Sequence, residues 1–169
     1  MKQSRQLGIA LWLAAAPAIA LDISPATPVL RMYTAAVAAN DCDMAWRLTS
    51  NAVKRRDKYP GEFREVICRV LAKMQATHVT EELSQPIAHL RDGKRHAVFV
   101  PSKRLPQAFN FAPVTELMYI VYSEDDGVTW EVLDLGCVDA RWVREVFPAY
   151  RGEPPLPIDQ AKAFAFLPW

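Results

Sequence analysis

The side chains that could carry proton-transfer chemistry are few and lie mostly in the second half of the chain. A small pocket enzyme of this kind needs a base with a pKa near neutrality, shielded from water, beside a reacting carbonyl. The candidates are three histidines, two tyrosines and one aspartate: His78, His89, His96, Tyr119, Tyr122 and Asp134. No catalytic motif pairs an Asp with a His among them. We therefore predict no catalytic residue and no cofactor.

Two of these histidines are predicted to meet across a β-hairpin. The segments HVTEELSQPIAHL and RHAVFV flank Asp92-Gly93, and Asp-Gly is a strong signal for a two-residue hairpin loop. In that register His89 faces His96. A metal site would need a third ligand, which this face does not offer, so no metal is predicted. We interpret the two as half-exposed neighbours whose repulsion lowers their affinity for protons.

Four residues are candidates for lining a ligand pocket: Tyr33, Trp46, His78 and Tyr119. Tyr33 and Trp46 fall on predicted helices, and His78 opens the first predicted strand. The alternative is that the aromatic residues belong to the core and that His78 is a capping or surface residue. Both interpretations stay open at the level of sequence.

Three cysteines, Cys42, Cys68 and Cys137, are available for disulfide formation. No C-x-x-C or Cys/His spacing is present, which argues against a structural zinc site. Cys68 lies on the flank of the apolar stripe of a predicted helix, where a covalent bond to a neighbouring segment fits better than deep burial. We therefore favour a Cys42–Cys68 disulfide. A Cys42–Cys137 pair and three free thiols are the alternatives.

The segment SEDDGVTW, residues 123–130, has the spacing S-x-D-x-G-x-T-W and resembles the Asp-box of bacterial sialidase propellers. Asp-boxes occur once per blade, on turns away from the active site, whereas this chain has one copy. A glycosidase also needs two carboxylates about 5–10 Å apart across a cleft. We interpret the segment as a turn in which Gly127 supplies a positive φ and Asp125 or Asp126 binds turn amides.

Residues 1–20 predict export. They combine a positive start, an apolar stretch and a small-x-small cleavage site, which is the form of a secretory signal peptide. The apolar run is shorter than the roughly 20 residues that span a bilayer, so we expect no stable membrane span and a periplasmic or secreted protein. Without Lys2 and Arg5, the 20 Lys and Arg fall to 18 against 19 Asp and Glu. This balance argues against nucleic acid as a partner.

Apolar periodicity predicts helices first and strands afterwards. The first helix runs from Thr27-Pro28 to about Asn40, and Asp41 caps a short helix over CDMAWRLTS. A long helix follows, with a buried stripe of Phe63, Val66, Ile67, Val70, Leu71 and Met74. Two antiparallel hairpins, a short helix around DARWVREVF and a Pro-rich tail complete the chain. We predict one α+β domain over 21–150, with helices on one face of a sheet, and a packed strap over 151–169.

The segment PVLRMYTAAVAANDCDMAWRLTS, followed by a long helix and meandering strands, resembles the nuclear transport factor 2-like superfamily, which includes the polyketide-cyclase-like proteins. The likeness covers residues 28–150 and rests on Tyr33 and its neighbouring alanines, the Asn40-Asp41 break and Thr49-Ser50. It implies a conical fold in which N-terminal helices pack on a curved antiparallel sheet around a pocket. Members include isomerases, dehydratases, cyclases and non-enzymatic modules, so fold does not give function.

These observations predict an exported, non-enzymatic binding or interaction module whose partner is an unknown small molecule or an envelope protein. Two alternatives stay open. One is a small pocket enzyme that catalyses proton transfer, such as an isomerase, dehydratase or hydrolase-like enzyme. The other is an immunity or envelope-assembly partner protein. A homodimer through the sheet face is a further option.

Overall fold

The computed structural model describes residues 25–55, 62–76, 79–106, 115–136 and 141–156. The helices in these ranges are α1 (Ala26–Ala38), α2 (Cys42–Leu48), α3 (Asn51–Arg55), α4 (Glu62–Ala76) and α5 (Arg141–Val146). The strands are β1 (Val79–Leu83), β2 (Ala88–Asp92), β3 (Arg95–Pro106), β4 (Thr115–Ser123) and β5 (Glu131–Asp134). The predicted α+β class is confirmed: helices pack on a curled antiparallel sheet that forms a half-barrel.

The first helix begins slightly earlier than predicted. α1 starts at Ala26 with Pro25 at the N-cap position, so the predicted Thr27 cap is wrong. Pro28 still lies in the first turn, where its missing N–H breaks no helical hydrogen bond. The helical path ends at Asn40, whose φ is 54°.

The second helix has its predicted cap but buries a different residue. Asp41 accepts a hydrogen bond from Met44 N at 3.0 Å, which is the usual role of an N-cap aspartate. Met44 and Leu48 are only half-buried, whereas Ala45 is fully buried. A small residue at the contact lets α2 approach α1 closely.

The long α4 helix presents its predicted stripe to the core. Two of the six stripe residues are buried and two are half-buried: Ile67 and Leu71, and Val66 and Val70. The side chains of Phe63 and Met74 lie outside the described residues. The short α3 helix, in a stretch read as polar, was not predicted. None of the helices in the described ranges is long and apolar enough to cross a membrane.

Strand β3 is the central strand of the sheet. It pairs with β4 on one side and with β1 and β2 in succession on the other, and β5 extends the sheet beyond β4. The segment before the first turn was predicted as one strand, but it is divided at Ser84–Ile87. Pro86 lies in this gap because it has no N–H for a strand ladder.

The loop between β2 and β3 begins one residue later than predicted. Asp92 pairs with Arg95, so Gly93 and Lys94 form the two-residue loop. Gly93 has a φ of 60°, a conformation that glycine adopts without steric penalty. The shift changes every pairing along this hairpin by two residues.

Each face of the sheet carries its own hydrophobic core, because side chains alternate between the two faces along a strand. The α1 face packs against α1, α2 and α4, with a core that includes Leu30, Tyr33, Ala36, Ile67, Leu71, Val98, Val100, Tyr119, Val121 and Val132. The α5 face packs against α3 and α5, with a core that includes Val53, Ala97, Phe99, Ile120, Leu133, Val143, Val146 and Phe147. From the sequence, helices were predicted on one face only.

The chain after α5 continues across the α5 face. Tyr150 stacks on Phe99 with ring centroids 5.6 Å apart, and Leu156 packs against the same core. The rest of the predicted strap, 157–169, and the predicted signal peptide, 1–20, lie outside the described residues. The chain's own residues therefore cover part of this face. The predicted homodimer through the sheet face stays a prediction.

A disulfide joins α2 to α4. It links Cys42 to Cys68, the pair favoured from the sequence, with Cα atoms 5.1 Å apart. The cross-link closes a sequence separation of 26 residues and stabilises the fold by about 3 kcal/mol in the chain-entropy account. Cys137 lies outside the described residues.

Candidate functional site

The α1 face of β3 changes character along its length. The side chains that alternate onto this face are His96, Val98, Val100, Ser102 and Arg104. The two valines belong to the core, whereas polar side chains occupy both ends. This pattern divides the α1 face into an apolar middle and two polar ends.

A cavity of about 250 Å³ lies between α1 and the apolar middle of the sheet. We call it the helix–sheet cavity. Its floor consists of buried aliphatic side chains, Leu30, Val98, Val100 and Val121. Its rim includes the exposed residues Arg31, Leu83, Ser84 and Gln85. An apolar floor with a few polar groups at the rim is typical of small-molecule sites.

Arg31 is the one ionisable residue among the described residues that line this cavity. It forms no ion pair with a carboxylate in the described part of the chain. It also borders a second cavity of about 460 Å³, between α1, the end of α4 and β1, to which Glu81 contributes. A guanidinium stays protonated, so Arg31 can hold an anion but cannot act as a base.

A buried group of six polar residues, the ionic cluster, lies where α1 crosses β4 and β5: Tyr33, Glu81, Ser102, Arg104, Tyr119 and Asp134. Tyr33 donates a hydrogen bond to Asp134 Oδ2 at 3.1 Å, and Tyr119 donates one to Glu81 Oε1 at 2.7 Å. The tyrosine rings meet edge to face, with centroids 5.7 Å apart. The structure therefore brings together two predicted ligand-binding residues, but both are fully buried and neither lines a described cavity.

Arg104 connects the carboxylates of the ionic cluster. Its Nη2 donates to Tyr119 OH at 3.2 Å and to Asp134 Oδ2 at 3.1 Å, and its Nε lies 3.4 Å from Glu81 Oε1. The exposed fractions of the Arg104, Glu81 and Asp134 side chains are 11%, 10% and 3%. Charges this deeply buried must be paired and hydrogen-bonded to be tolerated. The Glu81 carboxylate is held through Oε1, whereas its Oε2 is buried without a hydrogen-bond partner.

The ionic cluster is packed tightly by protein atoms. Gly136 N donates to Asp134 Oδ1 at 2.7 Å, and a Cβ on Gly136 would lie 2.6 Å from Arg104 Nη1. Burial raises the pKa of Tyr119 well above its usual value, and the charge of Asp134 adds to the effect. The phenol is therefore a fixed donor. This arrangement ties α1 to the sheet, and Glu81 and Ser102 are the members of the cluster that border described cavities.

A second group, the histidine cluster, lies at the other end of the α1 face and contains His89, Arg91, His96, Asp126 and Trp130. His89 Nε2 lies 2.9 Å from His96 Nδ1, and His96 Nε2 lies 3.0 Å from Asp126 Oδ1. The predicted histidine contact is present, but the predicted pairing is wrong, because the shifted loop places His89 opposite Val98. The histidines therefore touch diagonally.

The histidine cluster also joins two turns. Asp126 accepts from Arg91 Nη2 at 2.9 Å, and its own backbone N donates to Lys94 O at 2.7 Å. His96 and Arg91 hold the pKa of Asp126 below its usual value. Burial lowers the pKa of His89, and the charges of His96 and Arg91 lower it further. When neutral, His96 donates to Asp126 and accepts from His89, which fixes both tautomers.

An Asp–His pair is thus present, but it lies at the hairpin tips rather than in a pocket. None of the histidine cluster lines the three cavities described for this part of the chain. Across the described residues, no group of three or more His, Cys, Asp or Glu side chains is arranged to hold a metal ion.

The SEDDGVTW segment forms the turn that its sequence predicts. Asp125 accepts from Thr129 N at 2.8 Å and from Thr129 Oγ1 at 2.6 Å, and these bonds lower the pKa of Asp125 to about 2. Trp130 Nε1 donates to Gly127 O at 2.8 Å. The turn thereby holds Asp126 in place for the histidine cluster.

Trp46, the third predicted ligand-binding residue, belongs to neither cluster. Trp46 is half-buried, packs against the α1-face core and has Lys54 Nζ 5.6 Å from its ring centroid. It lines none of the described cavities. His78 lies outside the described residues.

Arg31, Glu81 and Arg104 were not among the residues predicted from the sequence. A signal for Arg104 was available, because Ser102 and Arg104 continue the inward positions of Val98 and Val100 at steps of two. A charged residue at an inward strand position needs a buried partner.

Comparison with known proteins supplies no assignment: the chain matches no protein-family model, no curated protein and no solved structure. The geometry of the α1 face is therefore the basis for a functional proposal.

Proposed function

We propose that this protein is an exported, non-enzymatic binding module that holds a small, largely apolar molecule in the helix–sheet cavity. The observation that carries the proposal is the cavity itself, with its floor of Leu30, Val98, Val100 and Val121. Ligand sites in proteins are usually concave and mostly apolar, with volumes of about 300–1,000 Å³. The cavity, at about 250 Å³, lies just below that range and therefore suits a small ligand.

The charges around the cavity favour binding over proton transfer. Its described lining contains no carboxylate, histidine or tyrosine, and a general base must lie within hydrogen-bond reach of the proton that it removes. The carboxylates of the ionic cluster are held by Tyr33, Tyr119 and Arg104. These carboxylates therefore stabilise the fold through contacts within the protein.

The surroundings of the cavity favour a preformed site. The ionic cluster fixes α1 to the sheet through the contact of Tyr33 with Asp134, and the disulfide ties α2 to α4. A rigid wall lowers the entropy lost on binding, because fewer side chains must be ordered.

Export and superfamily membership are part of the same proposal. The signal-peptide pattern of residues 1–20 supports export, and a disulfide is the expected state of paired cysteines in an oxidising compartment. The helices packed on a curved sheet, with a cavity between them, are compatible with the nuclear transport factor 2-like resemblance of residues 28–150.

Proton transfer is the second candidate, and one observation favours it. The chain Asp126–His96–His89 orients His96 as a triad does. This candidate needs a substrate that binds at the hairpin tips, outside the described cavities.

A neutral, apolar fluorophore tests the binding proposal. N-phenyl-1-naphthylamine should bind the exported protein saturably and shift the methyl NMR signals of Val98, Val100 and Val121. Val100→Phe should fill the cavity and abolish binding. Val128→Phe, at a residue that is 80% exposed on a turn, is the matched control and should bind normally.

The fold of the Val100→Phe variant is checked by its amide NMR spectrum, because overpacking costs about 1–3 kcal/mol. If the variant unfolds, the wild-type shift pattern decides the test. Shifts spread over the surface, or equal binding by folded Val100→Phe and wild type, would overturn the proposal.

A further inference from the structure

We infer that the ligand of the helix–sheet cavity is an amphiphilic carboxylic acid, with its carboxylate on Arg31 and its apolar body on the valine floor. The inference rests on the proposed function and adds a ligand class to it. Arg31 is the only ionisable side chain in the described lining of the cavity, so it alone can select the ligand's charge there.

Arg31 is available for this role because it has no carboxylate partner among the residues that the structure describes. Four other arginines are paired: Arg55 with Glu124, Arg64 with Asp43, Arg91 with Asp126, and Arg104 with Asp134 and Glu81. The other described arginines without a carboxylate partner line none of the three described cavities. Within the described ranges, Arg31 thus combines a guanidinium that has no carboxylate partner with a position on a cavity rim.

The orientation of the ligand follows from the charges on either side of Arg31. Leu30, the preceding residue, contributes to the apolar floor, whereas Glu81 lines the second cavity beyond Arg31. The two carboxylates and one guanidinium of the ionic cluster disfavour an anion deeper in that direction. The acid group is therefore placed at the rim, and the apolar body points toward Val98 and Val121.

The chemistry favours a carboxylate in particular. A planar guanidinium can donate two parallel hydrogen bonds to the two oxygens of a carboxylate. Because Arg31 is exposed, water screens the interaction, and the gain is that of a surface ion pair. We expect a preference of about two- to fivefold over a neutral ligand of the same shape.

Three probes with the same apolar chain isolate the contribution of charge: octanoate, 1-octanol and octylamine. Dissociation constants are measured from the methyl NMR shifts of Val98, Val100 and Val121. Octanoate should bind about two- to fivefold more tightly than octanol, and octylamine most weakly. Arg31→Gln should equalise octanoate and octanol, whereas Arg31→Lys should keep part of the preference. Arg69→Gln, at an exposed arginine of α4 outside the cavity lining, should leave it unchanged.

The outcomes distinguish a failure of the carboxylate inference from a failure of the proposed binding function. If octanol binds in the cavity as tightly as octanoate, the anion inference is overturned while the binding function stands. If octylamine binds best, the ligand is a cation and the inference is again overturned. If none of the probes binds and the fluorophore also fails, both proposals fall.

Discussion

The ionic cluster and the histidine cluster lie at opposite ends of one sheet face and contain similar groups: an arginine, carboxylates and ring side chains. They differ in exposure. Asp134 is 3% exposed, whereas the Asp126 side chain is 49% exposed. The buried carboxylate is surrounded by Tyr33, Arg104 and the backbone of Gly136. The exposed one accepts from Arg91 and His96 at a turn.

The difference shows that burial, more than residue type, decides what such a cluster does. In the interior, an ion pair that loses one partner leaves an uncompensated charge, so its members hold the structure together. At a half-exposed turn, water replaces a lost partner, so the loss of one member costs little stability. Three measurements test this contrast.

The largest expected effect is the loss of Arg104. Arg104→Met leaves Glu81 and Asp134 buried without their guanidinium, and we expect the free energy of unfolding to fall by about 3–5 kcal/mol. Urea denaturation followed by tryptophan fluorescence measures the change. Arg91→Met is the matched control in the histidine cluster, and it should leave the unfolding free energy nearly unchanged because its ion pair is exposed. Equal losses in the two variants would remove the contrast.

A smaller loss is expected when the space around the ionic cluster is filled. In Gly136→Ala the new Cβ would lie 2.6 Å from Arg104 Nη1 and 2.9 Å from Asp134 Oδ1. We expect a loss of about 1–3 kcal/mol, as for other overpacked sites. A double-mutant cycle with Arg104→Met is the check, because removing the guanidinium relieves part of the clash. Strictly additive effects would show that the two residues do not interact.

The smallest effect is a pH dependence that comes from the histidine cluster. The folded-state pKa of His89 is lowered below the usual value of about 6.5, so the unfolded chain binds the proton more readily. Above pH 6.5, His89 is mostly neutral in both states and does not reduce stability. As the pH falls below 6.5, the unfolded chain takes up the proton first, so stability decreases until the pH passes the folded-state pKa. Urea midpoints between pH 8 and pH 5 should therefore decrease on acidification, and less so in His89→Gln. A wild-type midpoint that rises on acidification would contradict the assignment.

Regions held by contacts between residues close in the sequence were predictable, whereas regions held by long-range contacts were not. The stripe of Ile67 and Leu71 and the cap at Asp41 were predictable because helix periodicity and capping are local. The Asp125 turn was predictable for the same reason. The histidine contact was anticipated, but the pairing was wrong, because Gly93 can occupy either position of a two-residue loop.

The ionic cluster could not be assembled from sequence. Glu81, Arg104 and Asp134 lie on three strands, and their meeting depends on the stagger of those strands and on α1 crossing above them. Alternation along a strand indicates which side chains share a face, but it does not give the neighbour on the next strand. The helix–sheet cavity was anticipated only as a pocket between helices and sheet, and its lining was not identified.

The gap at Ser84–Ile87 has a consequence for the outer edges of the sheet. A long, flat edge strand is a template on which further strands can add, including those of other copies of the same chain. Here the edge beside β3 consists of two five-residue strands, β1 and β2, with Pro86 in the gap between them. At the opposite edge, Ser50 N donates to Val132 O at 2.9 Å, so the four-residue β5 is capped by the chain itself. Edge-to-edge association of copies, and the aggregation that follows from it, is therefore disfavoured on both sides.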